Sequence, residues 1–81
     1  MGETCRDAVL EAFARLEARS SERVFKCQTI VDEVLQHTTR FKESTIRTHV
    51  VSRMCTNAPM HHASKFDDLE LVSHGMYRRI R

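Results

Sequence analysis

The chain has 81 residues, only two of them glycine and one proline, which predicts a single domain over residues 1–81 built mostly of regular structure. With 41% hydrophobic and 30% charged residues it is typical of a folded domain, but it is too short for a core and a roomy enzyme cleft. The net charge of +2 hides an asymmetry, because residues 1–39 carry five basic against seven acidic residues and residues 40–81 carry eight against four. This basic second half favours a polyanionic partner.

The sequence also excludes several classes of protein. No apolar run approaches the roughly 18 residues of a membrane span, and the N-terminus lacks the apolar stretch of a signal peptide. Three widely spaced cysteines predict no disulfide framework, and Cys55, His61 and His62 lack a fourth metal ligand. We therefore expect a cytoplasmic protein with no membrane partner, no cofactor and no bound metal.

The first half of the chain predicts two helices. Thr4, with Asp7 three residues later, forms a capping-box pattern for a first helix over about residues 5–19. Val24 and Phe25 then favour a short strand or an extended link. Apolar residues return at helical spacing in a second helix over about 27–37.

The second half predicts a third helix and a hairpin. Ile46, Val50 and Met54 recur at four-residue spacing, which predicts a helix over about 44–55 that ends before the proline of residues 57–59. Alternating residues on either side of His74-Gly75 predict a two-stranded β ribbon over about 68–81, with a bulge near its turn.

Helix, short strand, helix, helix and ribbon is the order of a winged helix-turn-helix, an α+β fold. The segments "KESTIRTHVVSRMCTNAP" and "LELVSHGMYRRI" resemble winged-helix modules associated with restriction and modified-DNA systems, and are similar to HARE-type winged helices. The resemblance covers roughly residues 7–81 and implies DNA binding, often as one part of a larger protein. The chain lacks the nuclease motif of a restriction enzyme.

The outward face of the third helix is the predicted DNA-reading surface. Short hydroxyls permit close approach to a duplex, and Arg47 can reach guanine in the major groove. Arg40 and Lys42 precede the helix as phosphate anchors, and the wing adds basic groups. The predicted double-stranded DNA contacts are Arg40, Lys42, Ser44, Thr45, Arg47, Thr48, Val51, Ser52, His74, Arg78 and Arg79.

Three alternatives accompany this interpretation. An enzyme is not expected, because no nucleophile elbow, phosphate loop or paired-carboxylate site is present. A winged helix that docks another protein without binding DNA fits the same patterning, because a partner subunit can bury the outward face of the third helix. The domain is also expected either to belong to a larger protein or to form a homodimer, because one winged helix buries little surface on DNA.

Overall fold

The computed structural model describes residues 4–56, 66 and 68–80. Within them the elements are α1 (Cys5–Arg19), β1 (Val24–Lys26), α2 (Cys27–His37), α3 (Glu43–Thr48), β2 (Leu69–Ser73) and β3 (Met76–Arg79). A π-helical segment, His49–Arg53, continues α3 directly. The described part of the chain is thus a small α+β domain with three α-helices and a three-stranded sheet, and its first two helices occupy the predicted ranges.

The first helix begins where its cap predicts. The Thr4 hydroxyl oxygen accepts a hydrogen bond from the Asp7 backbone N–H at 3.1 Å, and the Asp7 carboxylate accepts from the Thr4 N–H at 3.4 Å. These reciprocal bonds satisfy two backbone donors that the helix itself leaves unpaired. The helix ends at Arg19, because Ser20 is extended.

The sheet is antiparallel, with strand order β1-β3-β2. Tyr77 of β3 lies at its centre, opposite Phe25 of β1 and Leu71 of β2. The sequence leaves open whether this segment is a short strand or an extended link. Residues 24–26 form a paired strand. The predicted bulge is present, because the register shifts between Leu71 and Ser73.

One face of the sheet and the inner faces of the helices enclose a single hydrophobic core. Phe13 of α1 and Phe25 of β1 meet there in an edge-to-face contact, with ring centroids 6.0 Å apart. Tyr77 is buried, as expected for a core residue. The remaining core side chains are Cys5, Ala8, Val9, Ala12, Leu16, Cys27, Ile30, Val31, Val34, Ile46, Val50, Met54, Cys55 and Leu69.

Two buried carboxylates, those of Glu33 and Asp68, are each paired with arginine. Glu33 of α2 accepts hydrogen bonds from Arg15 Nε at 2.8 Å and Arg19 Nη2 at 2.6 Å, which ties α2 to α1. Asp68, just before β2, is held by both Arg6 Nε at 2.7 Å and Arg6 Nη2 at 2.9 Å. Such bidentate, charge-assisted bonds fix orientation as well as position. They hold the sheet and α2 against α1.

Some expectations concern residues outside those described. The predicted end of the third helix at residues 57–59 lies outside them, as do His61 and His62, the candidate metal ligands. Among the described residues, no group of three or more His, Cys, Asp or Glu side chains is placed to hold a metal ion. None of the helices in that part of the chain combines the length and apolar character that crossing a bilayer requires.

Candidate nucleic-acid interface

The third helix changes its geometry halfway along. It starts at Glu43 as an α-helix, but from His49 it widens into a π-turn, with the Met54 N–H donating to the His49 carbonyl at 2.9 Å. In an α-helix, residues spaced by four drift around the axis by roughly 40° at each step. The wider π-turn offsets this drift. Ile46, Val50 and Met54 are all fully buried, as the sequence predicts.

The prediction of one α-helix over about 44–55 is wrong beyond Thr48. The α-helical part ends at Thr48, and the π-helical segment ends at Arg53. Cys55 is fully buried and forms a parallel β-bridge with Leu69. After the π-turn the chain runs inward alongside β2, because the Thr56 N–H donates to the Leu69 carbonyl at 2.8 Å. Cys55 therefore belongs to the core.

The outward face of α3 presents short polar side chains around a shallow, open depression. Its volume is about 310 Å³, and it is lined by Ser44, Thr45, Thr48, His49 and Arg53. The Thr48 hydroxyl donates to the Ser44 carbonyl, and the His49 Nδ1–H donates to the Thr45 carbonyl, both at 2.9 Å. A neutral His49 therefore presents Nε2 as an acceptor on this face. Val51 and Ser52 are half-buried beside it.

His49 and Arg53 were absent from the predicted contact set. The hydrogen bond from His49 Nδ1–H to the Thr45 carbonyl holds the imidazole ring against its own helix. Both residues nevertheless line the same depression as the hydroxyls. No local sequence signal indicates that Arg53 lies there, because its position depends on the π-helical segment, which shifts the residues after His49 around the helix axis.

Arg47 is held in place by groups from two helices. Its Nη2 donates to the Glu43 carboxylate at 3.0 Å and also to the Gln28 side-chain carbonyl. Its Nη1 lies 3.6 Å from the Cys27 sulfur. The hydrogen bond to Glu43 is the main cause that raises the pKa of Arg47, and burial raises the pKa of the Cys27 thiol despite the nearby guanidinium. Arg47 is thus a charged, oriented group at the junction of α2 and α3.

The hairpin turn adjoins the same junction. The Cys27 N–H donates to the Gly75 carbonyl at 3.1 Å, so Cys27 contacts both the turn between β2 and β3 and the Arg47 side chain. Gly75 has a φ of 70°, a left-handed conformation that glycine adopts without a side-chain clash. His74, beside it in the turn, is exposed. Cys27 therefore lies between the hairpin turn and the Arg47 side chain of α3.

The two basic residues before α3 are exposed and less constrained. The Arg40 guanidinium lies over the Phe41 ring, 5.7 Å from its centroid, and Lys42 occupies the cap position of α3 without a side-chain hydrogen bond. Phe41 itself is partly buried and packs against the core. Within the described part of the chain, neither Arg40 nor Lys42 has an ion-pair partner. Both charges are available to an anion.

Arg78 and Arg79 lie on opposite faces of the sheet. Arg78 is exposed and pairs with the Glu70 carboxylate across the strands, on the face away from the helices. Arg79 Nη2 instead donates to the Glu17 carboxylate of α1 at 2.7 Å, and Glu17 is only 13% exposed. The structure therefore does not bring these two predicted wing contacts together on one surface. Arg79 ties the sheet to α1.

Comparison with known proteins defines a family but not an activity. The family described as "Domain of unknown function (DUF7669)" matches residues 4–79, nearly the whole chain, so the chain belongs to that family. Neither the curated proteins nor the solved structures contain a significant match. Any functional interpretation therefore depends on the residues themselves.

Proposed function

We propose that this domain is a winged helix-turn-helix that binds double-stranded DNA, with α3 as its recognition helix and the β2–β3 hairpin as its wing. The order of the elements supports the proposal, as does the pairing of the short strand β1 with the last strand, β3. In such folds the second helix of the helix-turn-helix enters the major groove and the wing contacts the adjacent backbone.

One observation carries the proposal. Cys27, at the start of α2, contacts both the Gly75 carbonyl and the Arg47 side chain, so the wing turn adjoins the exposed side of α3. A helix that enters a groove and a hairpin that follows the backbone must lie side by side in this way to contact one duplex. Several other basic side chains are paired with carboxylates. Arg40 and Lys42, just before α3, are exposed and have no such partner in the described part of the chain.

The proposed roles follow from side-chain length and placement. Arg47 can donate to guanine O6 or N7, while Ser44, Thr45 and Thr48 can bond base edges or phosphates at short range. Val51 and Ser52, half-buried on the same helix, have room only for contacts at the edge of the groove. The phosphate contacts are Arg40, Lys42, His74 and Arg78, with Arg79 confined to its structural pair.

The resemblance to restriction-associated winged helices extends the proposal to the kind of protein in which the domain acts. A single module buries only about 600–1,000 Å² on DNA, which predicts weak binding unless further domains or a second copy add contacts. We therefore propose a module of a larger protein that acts in restriction or regulation or senses modified DNA, with a homodimer as the alternative. No catalytic step and no cofactor enter this proposal.

A salt-dependent titration tests it. Fluorescence anisotropy with a pool of random duplexes should show binding at low salt, and the affinity should fall steeply as salt rises, because each phosphate contact releases a counterion. The three cationic phosphate contacts, Arg40, Lys42 and Arg78, predict a slope of about −3 in log affinity against log salt. Absence of binding to every duplex, modified or unmodified, would overturn the proposal.

Two arginine variants distinguish recognition of the bases from contact with the phosphates. Arg47→Ala should cost about 1–3 kcal/mol on the preferred duplex and flatten the preference among sequences. Arg40→Ala should weaken every duplex alike and reduce the salt slope by about one unit. Neither side chain belongs to the core, so both variants should retain the wild-type melting temperature. Uniform weakening by Arg47→Ala would make Arg47 a phosphate clamp and refute its placement in the groove.

A protein-docking function is the second candidate, and one observation favours it. Val72 and Ile80, on or next to the hairpin, are large apolar side chains exposed by 49% and 40%. A partner that covers them would bind mainly through apolar contacts, which respond weakly to salt. If no duplex binds, the domain is a docking module of this kind.

A further inference from the structure

Two of the side chains that line the depression on α3 use their protons within the helix. The Thr48 hydroxyl donates to the Ser44 carbonyl, and the His49 Nδ1–H donates to the Thr45 carbonyl, both at 2.9 Å. A carbonyl oxygen can only accept a hydrogen bond, so Nδ1 is the protonated nitrogen of a neutral His49. Toward a ligand, both side chains therefore offer lone pairs, on Thr48 Oγ1 and on His49 Nε2.

His49 Nε2 can be reached by a ligand. Within the described part of the chain, no hydrogen bond or ion pair occupies this nitrogen. The side chain is half-buried and lines the depression of about 310 Å³. Thr45 and Thr48, which line it as well, have shorter side chains than His49. A duplex can thus approach the imidazole ring closely.

A neutral acceptor can bind only a group that has a hydrogen to donate. The phosphates of DNA are negatively charged and carry none, so they do not fit His49 Nε2. Arg53 also lines the depression, so a phosphate there would lie near a cation, but neither Thr48 nor His49 would have a proton to give it. The donors in the major groove are the amino groups of adenine and cytosine, whereas guanine and thymine present acceptor atoms.

We propose that His49 is a specificity-determining residue, whose Nε2 accepts a hydrogen bond from the exocyclic amino group of an adenine or cytosine in the major groove. This inference rests on the proposed DNA-binding function and adds a base contact outside the predicted set. The backbone of the helix holds the proton on Nδ1, so no further side chain is needed to define the role of the ring. A guanine or thymine at the same position would place an oxygen against the Nε2 lone pair, which disfavours those bases.

The experiment removes single amino groups from the DNA. The wild-type domain first selects its preferred sequence from short duplexes with a randomised centre. Each adenine of that site is then replaced by purine, and each cytosine by the pyrimidinone that lacks the amino group, one position at a time. At one position the replacement should weaken wild-type binding by about two- to twelvefold, which is the contribution of one neutral hydrogen bond.

Variants of His49 identify that position. His49→Ala should bind the unmodified duplex about two- to twelvefold more weakly than wild type. It should lose nothing more when the amino group at that position is removed, because both changes delete the same hydrogen bond. Measuring the variant on the same duplexes also subtracts any effect of the base analogue on the duplex itself. His49→Phe keeps an aromatic ring without an acceptor and should behave as His49→Ala does.

The matched control is His37→Ala. His37 is a histidine at the end of α2 that lines a different depression, between α1 and α2. This variant should respond to every base analogue as the wild type does. Melting temperatures close to wild type in the His49 variants exclude unfolding as the cause of weaker binding.

The outcomes separate the two proposals. If the wild-type domain binds no duplex, the proposed function fails and this inference fails with it. If the domain binds but His49→Ala weakens every duplex and every analogue equally, only the base contact is overturned. A selected site in which no amino group distinguishes wild type from His49→Ala also overturns it, as does binding without sequence preference. A loss confined to one amino group supports the inference and shows whether the base is adenine or cytosine.

Discussion

Replacing Glu33 by glutamine should destabilise the domain by about 3 kcal/mol at neutral pH. The Glu33 side chain is only 2% exposed and accepts hydrogen bonds from Arg19 and Arg15. The Arg19 hydrogen bond, chiefly, lowers its pKa from 4.5 to about 2, although burial opposes the change. Each pKa unit corresponds to about 1.36 kcal/mol, which gives the size of the loss. A domain of this length has a total stability of about 4–12 kcal/mol, so the loss is a large fraction.

The same pairing makes a prediction about pH. Because folding lowers the pKa of Glu33, its contribution is complete above the unfolded pKa of 4.5 and disappears as the pH falls toward the folded value of about 2. Wild-type protein should therefore lose about 3 kcal/mol of additional stability between about pH 5 and pH 2, relative to Glu33→Gln.

Urea denaturation followed by circular dichroism at a series of pH values measures both effects. The two stability curves should be farthest apart near pH 7 and converge near pH 2. Glu22→Gln is the matched control, because Glu22 is exposed and its carboxylate has no ion-pair partner among the described residues. If Glu33→Gln kept the wild-type pH dependence, or cost less than about 1 kcal/mol, the carboxylate would not be the buried tie between α1 and α2 that the geometry indicates.

Two further predictions concern the hairpin. Gly75→Ala should lower the free energy of unfolding by about 1 kcal/mol, because the positive φ strains any L side chain even though no heavy atom lies within 4 Å of the added carbon. Chemical denaturation measures this change. A neutral effect would contradict the left-handed conformation of the turn. Arg79→Ala should destabilise the domain by breaking its contact with Glu17, while Arg78→Ala should leave the melting temperature nearly unchanged and weaken DNA binding instead. Equal effects of the two variants on stability would contradict their placement on opposite faces.

The elements that could be predicted from the sequence are those with local causes. The Thr4–Asp7 capping box sets the start of α1, and apolar spacing sets the extents of α1 and α2. The bulge followed from imperfect alternation around Val72. Each of these patterns depends on residues close together in the chain, so no knowledge of the tertiary structure is needed to recognise them.

The π-turn and the side-chain pairings have causes that are distant in sequence. The π-turn brings Val50 and Met54 inward together against a core built from other elements, and Cys55 is buried because β2 pairs with it. The contact between Gln28 and Arg47 joins residues 19 positions apart. The separation of Arg78 and Arg79, by contrast, was available from the sequence, since adjacent residues in a strand point to opposite faces.

Charge pairing is unevenly distributed over the described part of the chain. Arg6, Arg15 and Arg19 of α1 pair with the buried carboxylates Asp68 and Glu33, and these pairs contribute to stability. The basic groups before α3 have no such acidic partners in the described part of the chain. Since Ile46, Val50 and Met54 anchor the third helix through burial, its outward face does not depend on strong helix formers. That face is free to carry the serines and threonines to which we assign the proposed DNA contacts.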